Sequence, residues 1–279
     1  MNKLWKKLLC AALAGSMMLS AAGATDWGLW YGNGANQPPS GEDTVQTLAQ
    51  CGAYYMGEAD EKVLYLTFDC GYENGNTAKI LDTLKKHHVP GAFFVVGHYL
   101  DAAPELVKRM ADEGHLVCNH SDNHPNMTTV SHDRFVSELT GLAAQYKELT
   151  GRTIAPFFRP PEGSYTYDTL RWAQQLGYHT TLWSVAYADW DPANQPSYAS
   201  AKQTIGSRVH NGAIVLLHAV SSTNAAILGD LITGWKAQGY TFKALSALPG
   251  LANPTVSAVP NDAPFTVDGQ AAAPTAFLI

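Results

Sequence analysis

An α/β domain built on a parallel sheet or barrel is the fold this sequence predicts, on three observations. From Val63 onward, short apolar segments rich in β-branched and aromatic residues alternate with helical patterns. Several of those helical stretches stop at a glycine. Five polar side chains follow successive apolar segments: Asp69, His120, Arg159, Asp189 and His218. Strands separated by helices pair in parallel, and in such folds the C-terminal strand ends converge on one face and carry the chemistry. Five polar groups at those ends therefore predict a site.

The strand segments are "VLYLTF", "GAFFVV", "HLVCNH", "IAPFFR", "YHTTLWSV" and "AIVLLH"; each is short, apolar and bounded by turn residues. Between them, "NTAKILDTLKKHH", "APELVKRMADEG", "SHDRFVSELTGLAAQYKELTG" and "TNAAILGDLITGWKAQG" carry helical spacing, and three end on the glycine that commonly closes a helix. Residues 61–248 thus read as a single domain. Ahead of it, residues 25–60 are aromatic and turn-rich, with a short helical pattern from Thr44. Trp27, Trp30 and Tyr31 predict an ordered N-terminal cap rather than a solvated linker. Residues 249–279, rich in proline, alanine and small polar residues, predict a flexible C-terminal tail.

Residues 1–24 have the form of a signal peptide: Lys3, Lys6 and Lys7, the apolar stretch Leu8 to Leu19, then Ala22-Gly23-Ala24 as a cleavage site. The alternative is an uncleaved anchor. Cys10 precedes most of the apolar stretch and is badly placed for lipid attachment. The expectation is an exported protein of the cell envelope or extracellular space, with no membrane span in the mature chain. Loss of the three leader lysines leaves 15 basic residues against 24 acidic, a net charge of −9. Such a balance speaks against nucleic-acid binding, which depends on neutralising phosphates. Cys51, Cys70 and Cys118 remain, too sparse for a disulfide scaffold, although one bridge is open.

Among the chemical groups, "HSDNH" spaces His120 and His124 by four, which on a helical turn turns both imidazoles toward one ion. The competing reading is ordinary polar surface; position after a strand, level with Asp69, favours the metal. His218 closes an apolar strand, and Asp189 in "YADW" is a carboxylate able to orient its ring and raise its pKa, as a general acid requires. Arg159 in "FFRPPEG" precedes two prolines that stiffen the turn, and a guanidinium beside Asp69 would keep that acid ionised. His87 and His88 close a helix as solvated groups. His98, His115, His132, His179 and His210 are assigned no role. The glycines of "GYENG" belong to a loop, since no lysine completes a phosphate-binding motif.

In order, "TFDC", "HSDNH", "RPPEG", "ADW" and "LLH" resemble the five motifs of the polysaccharide deacetylase (NodB-homology) family, carbohydrate esterase family four, over about residues 60–245. Within it the sequence is similar to the δ-lactam-forming peptidoglycan de-N-acetylases of spore-forming bacteria, through "WGLWYGNGANQPPSGE", "YLTFDCGYENG", "FFVVGHYL", "LWSVAYADW" and "GYTFK". The resemblance implies a distorted (β/α) barrel with a groove over the strand ends and hydrolysis of N-acetyl groups on a glycan. It implies Asp69 as base, held ionised by Arg159, with His218 as acid, oriented by Asp189. It further implies a divalent cation, zinc by donor type and weakly bound, on His120 and His124, and a backbone N–H near Glu162 for the oxyanion. Trp190 and Tyr165 are candidates for walls of the acetyl pocket or groove, with plain packing the rival for Tyr165. The expected partner is the peptidoglycan glycan strand, bound by a monomer.

Two positions depart from the family pattern. Cys70 stands where an aspartate usually completes the metal triad, and Glu162 stands where many members carry an aromatic. Cys70 has three open roles: a thiolate ligand, a bridge to Cys118, or a small neutral filler, the favoured reading. Three functions compete: deacetylation of N-acetylmuramic acid with δ-lactam closure, the same chemistry on N-acetylglucosamine of peptidoglycan or chitin, and a non-catalytic glycan-binding module.

Overall fold

The computed structural model describes residues 23–251 and a short antiparallel pair, Thr266–Val267 with Gln270–Ala271. The leader expected at 1–24 and the tail expected at 249–279 otherwise lie outside the described residues.

Eight strands form one parallel sheet. Its order is Ala213–His218, Val63–Cys70, Gly91–Val95, Leu116–Asn119, Phe157–Phe158, His179–Thr181, Ala53–Tyr54, with Thr241–Phe242 added beside Val63–Leu64. The sheet curls until the chain beyond His179–Thr181 meets the first strand: Val185 bridges Val215 in parallel, and Leu216 N donates to Val185 O at 2.8 Å. The result is a distorted barrel. All eight residues of Val63–Cys70 are buried, as expected of a central strand covered on both faces. "IAPFFR" yields only Phe157–Phe158 as strand; Pro156 has no N–H to give to a ladder.

The helices cover the outside. Thr77–His87 ends at His88 in the left-handed region, φ 53°. His132–Thr150 is capped by the Ser131 hydroxyl, which accepts from Arg134 N, and closes on Gly151 at φ 71°, a position where a residue without Cβ avoids strain. Pro104–Asp112 and Ser222–Ala237 fall where their patterns predict. Tyr167–Gln175 and Tyr198–Arg208 were not marked out by pattern. The first is set by a capping box between Thr166 and Thr169, the second by the Ser197 hydroxyl on Ser200 N.

Period-two alternation along Val63–Cys70 sorts its side chains between two cores. Leu64, Leu66, Phe68 and Cys70 join the layer beneath the helices, with Ile80, Leu81, Phe93 and Tyr99. Val63 and Tyr65 face the barrel interior with Phe94, Cys118, Phe157 and Ile214. Asp69, continuing the inward set, is aimed at the mouth of the barrel.

The segment 25–60 is woven into this domain. Thr25–Asp26 pairs antiparallel with Ser164–Tyr165, the buried Trp27 donates its indole N–H to Trp183 O at 3.0 Å, and Ala53–Tyr54 is the outer strand of the sheet itself. Trp30 is 71% exposed, on a two-residue strand paired with Ser40–Gly41. Among the described residues no helix is long and apolar enough to cross a membrane.

Candidate active site

A cavity of about 1080 Å³ opens over the C-terminal strand ends, and Asp69, His120, His124, Glu162, Trp190 and His218 all line it. Asp69 and His218 are register partners on adjacent strands, so two side chains 149 positions apart in the chain emerge side by side.

Arg159 organises one half of the site. Its guanidinium is completely buried and stacks 4.1 Å from the Phe94 ring. Nη1 donates to Asp69 Oδ1 at 2.6 Å, Nη2 to Thr67 Oγ1 at 2.9 Å, and Nε to Thr181 O at 2.9 Å. A planar donor fork with every edge engaged holds one orientation. Burial works against the charged form of Asp69, but Arg159, with His120 and His218 behind it, outweighs burial and lowers the carboxyl below its usual range. Asp69 is an ionised acceptor at neutral pH.

The other half is built on Asp189, itself buried. Its Oδ1 lies 2.7 Å from His218 Nδ1, and its Oδ2 accepts from His218 N at 2.8 Å and from Asn224 Nδ2 at 2.5 Å. With Nδ1–H given to the carboxylate, Nε2 is the nitrogen left for the cavity. Burial alone would lower the His218 pKa; the hydrogen bond and charge of Asp189, helped by Asp69, raise it above the ordinary value. Asn224, which also donates to His218 O at 3.1 Å and accepts from the Tyr187 hydroxyl at 2.5 Å, went unnoticed in the sequence. An asparagine in a helical stretch carries no local signal of what its amide will brace.

His120 and His124 meet with ring centroids 4.9 Å apart, but by a route other than the helical turn the spacing predicts. Residues 120–126 form a loop in which Ser121 (φ 65°) and His124 (φ 54°) both take left-handed conformations. Asn119 Oδ1 accepts from Ser121 N at 2.9 Å, and the buried Glu138 accepts from Asn123 N at 2.7 Å. These braces offset a backbone cost that non-glycine residues otherwise avoid. His120 Nδ1 is bonded to Arg159 O at 2.8 Å, which leaves Nε2 with a free lone pair, 3.6 Å from Asp69 Oδ2. Burial, against the pull of Asp69, pushes its pKa down to about 4, so the ring is neutral at neutral pH. Neutral imidazole with its second nitrogen on a carbonyl is the form that ligates a cation, and His120 with its neighbour His124 is the pair placed to offer it.

Cys70 does not reach that pair. It is completely buried in the helix-side core, its sulfur 3.8 Å from Phe68 O. Burial, then the charges of Asp69 and Glu73, push its thiol well above the usual value, away from the thiolate that ligation needs. Cys118 belongs to the interior core, across the sheet from Cys70, and both are free thiols. The ligand and bridge readings of Cys70 are thereby corrected; it fills space. Among the described residues no group of three His, Cys, Asp or Glu side chains converges as a metal site.

Tyr165 is also corrected. It lines no part of the cavity: its ring is buried and its hydroxyl donates to Asp43 Oδ2 at 2.6 Å. Glu162, exposed and at φ 60°, lines the cavity together with Gly163. Trp190, 60% exposed, stands with its ring centroid 6.2 Å from that of His218. Further lining from Tyr31, Tyr72, Trp183, Tyr187 and Arg208 was not legible in sequence, because it comes from the cap, from loops and from a helix end brought together by the curl of the sheet.

The polysaccharide deacetylase family matches residues 56–181. The chain is 40% identical over 251 residues to peptidoglycan-N-acetylmuramic acid deacetylase PdaA of Bacillus subtilis, covering 87% of this chain and 95% of that protein. The solved structure of B. subtilis PdaA, described as a family 4 carbohydrate esterase, superposes with a TM-score of 0.76 at 43% identity, over 81% of this chain and 96% of that one. Peptidoglycan-N-acetylglucosamine deacetylase PgdA of Listeria monocytogenes is 35% identical over 189 residues, 68% of this chain and 39% of that protein. With its motifs in order, its barrel and its relatives along most of its length, the chain belongs to the polysaccharide deacetylase family.

Proposed function

We propose that this protein removes the N-acetyl group from N-acetylmuramic acid residues of peptidoglycan, at the cell envelope, and that the freed amine closes onto the lactyl carboxyl as a δ-lactam. The observation that carries the chemistry is the juxtaposition of Asp69 and His218, each fixed by its own buried partner and both facing one cavity. The likeness to PdaA, extending over nearly the full length of that protein, favours muramic acid over glucosamine as the sugar. A binding module would have no use for an ionised base and a protonated acid held side by side.

The residues divide the reaction between them. Asp69, ionised under the Arg159 guanidinium, accepts a proton from the water that adds to the acetamide carbonyl carbon. The oxygen that gains charge is met by backbone N–H near Glu162, where an amide donor is indifferent to the side chain attached. His218 Nε2–H, kept protonated by Asp189, gives its proton to the departing nitrogen as the C–N bond breaks. The products are acetate and a free amine. His120 and His124 would hold a divalent cation, with zinc the match for imidazole nitrogen; such an ion makes water more acidic and polarises a carbonyl. Trp190 supplies an exposed aromatic face beside His218 against which a sugar can pack.

The deciding experiment is acetate release from purified peptidoglycan strands and from chitooligosaccharides, with mass spectrometry locating the lost acetyl. Loss from muramic residues is the expected result. Loss from glucosamine alone would transfer the assignment to that sugar, and no release from either would leave a binding protein.

A further inference from the structure

Arg208 closes the Tyr198–Arg208 helix and is the one lysine or arginine among the residues lining the cavity. Its guanidinium lies 4.3 Å from the Tyr31 ring centroid, and Nη1 donates to Ala186 O at 2.5 Å. Tyr31 is itself fixed, its hydroxyl donating to Ser184 O at 3.2 Å and accepting from Ala186 N at 3.3 Å. Asn36 ties the same N-terminal segment to the end of the helix, its side chain donating to Gly206 O at 2.9 Å and Val209 O at 2.8 Å. Among the described residues Arg208 enters no ion pair, in contrast to Arg159 in the same site.

A basic residue in the last turn suits the helix dipole, and that alone would account for a lysine trailing into solvent. It does not account for a half-buried arginine whose guanidinium lies over a tyrosine ring in the wall of an aromatic cavity, with most of its five N–H groups unspent. A charge held partly out of water gains most from an anionic partner, and a guanidinium fork matches a carboxylate in particular. In N-acetylmuramic acid the acetamide and the lactyl ether sit on neighbouring ring carbons. A site for the lactyl carboxylate must therefore share a cavity with Asp69 and His218, as Arg208 does. N-acetylglucosamine has a neutral hydroxyl there, and a lactyl group in amide linkage has no charge.

We propose that Arg208 is a specificity-determining residue that binds the free lactyl carboxylate of the muramic residue being deacetylated. The inference deepens the proposed function and rests on it. Its test compares kcat/KM of wild type, Arg208→Gln and Arg208→Lys on two substrates: glycan strands with free lactyl carboxylates, and the same strands with those carboxylates converted to methylamides. On free-carboxylate strands Arg208→Gln is expected to lose about 10- to 100-fold, chiefly through KM, the scale of a charge-assisted hydrogen bond. Wild type should lose a similar factor on the methylamide strands, while Arg208→Gln discriminates far less between the two, and Arg208→Lys recovers part of the preference. Equal loss by Arg208→Gln on both strands would make Arg208 a latch between helix and cap and overturn the proposal. Should Arg208→Gln fail to fold, the wild type decides alone: indifference to methylamidation overturns it. Acetate released only from glucosamine residues would overturn the substrate reading itself, an outcome distinct from muramic deacetylation without a role for Arg208.

Discussion

Asp69 and His218 sit side by side as register partners on neighbouring parallel strands, and each is pinned by a different buried partner, Arg159 at 2.6 Å and Asp189 at 2.7 Å. The two partners carry opposite charge, so they drive the two groups apart: the carboxyl toward its ionised form, the imidazole toward its protonated form. An environment that separates the pKa values of adjacent groups makes one a base and the other an acid at the same pH.

Removing either group should stop the reaction. Asp69→Asn and His218→Ala are each expected to lower kcat by about 10²–10⁴-fold, with far-ultraviolet circular dichroism unchanged. The two should differ in stability. His218→Ala leaves Asp189 still bonded to Asn224, whereas Asp69→Asn strips the buried Arg159 of its counter-charge, a loss on the order of 3–5 kcal/mol. A larger fall in melting temperature for Asp69→Asn than for His218→Ala is the outcome to look for. Near-wild-type turnover in either variant would remove that residue from the mechanism.

The pH profile of kcat/KM should be a bell whose limbs belong to this pair. Activity falls on the acid side as Asp69 is protonated, at a pH below the usual carboxylate range, and on the alkaline side as His218 loses its proton, above the usual imidazole value. Asp189→Asn removes the group that raises His218, so the alkaline limb should move to lower pH. An alkaline limb that stays in place would sever Asp189 from the acid.

Stability should weaken on acidification. His120 has a folded pKa pushed down to about 4 against an ordinary value of 6.5, so between those values the unfolded chain binds the extra proton. Its contribution is present above the ordinary value and is lost as pH falls toward about 4. Asp69, also depressed, adds a loss in the same direction at still lower pH. Denaturant melts between pH 7 and pH 4 test this, and a midpoint that rises on acidification would contradict it.

Cys70→Ser and Cys70→Ala should keep both acetate release and any zinc carried by the purified protein, because the sulfur lies in the helix-side core and not beside His120 and His124. Their expected defect is a modest loss of stability, about 1–2 kcal/mol for a buried polar or truncated side chain. Elemental analysis beside an activity assay decides: stoichiometric zinc that disappears in Cys70→Ser would make the cysteine a ligand.

Tyr165→Phe should cost about 1 kcal/mol by leaving Asp43 with one tyrosine donor in place of two, with KM unchanged. A raised KM would return Tyr165 to the groove.

The local pattern was enough to place six of the eight strands, because a buried strand must be apolar and bounded by turn residues whatever surrounds it; Ala53–Tyr54 and Thr241–Phe242, of two residues each, are too short to carry that pattern. It was also enough to locate Asp69, His120, Arg159 and His218, since each ends its strand or follows it directly, and strand ends of a parallel sheet share one face; Asp189 was located too, although the strand before it closes at Thr181. Its limits lie where a side chain's meaning depends on a distant neighbour. Alternation along Val63–Cys70 assigns Asp69 and Cys70 to opposite faces, yet which face is the site and which the helix-side core follows only from how the sheet curls. Four-residue spacing brought His120 and His124 together, but the loop that does so rests on Asn119 and on Glu138, held by a helix further along the chain. Asn224 and Arg208 carried no signal, and Tyr31 signalled only an ordered cap, because each acts through a contact with chain 35 to 177 residues away. Backbone period and strand-end position are properties of a few consecutive residues and are written in sequence; the partner that fixes a charge, or turns a surface arginine into the wall of a cavity, exists only once the barrel has closed.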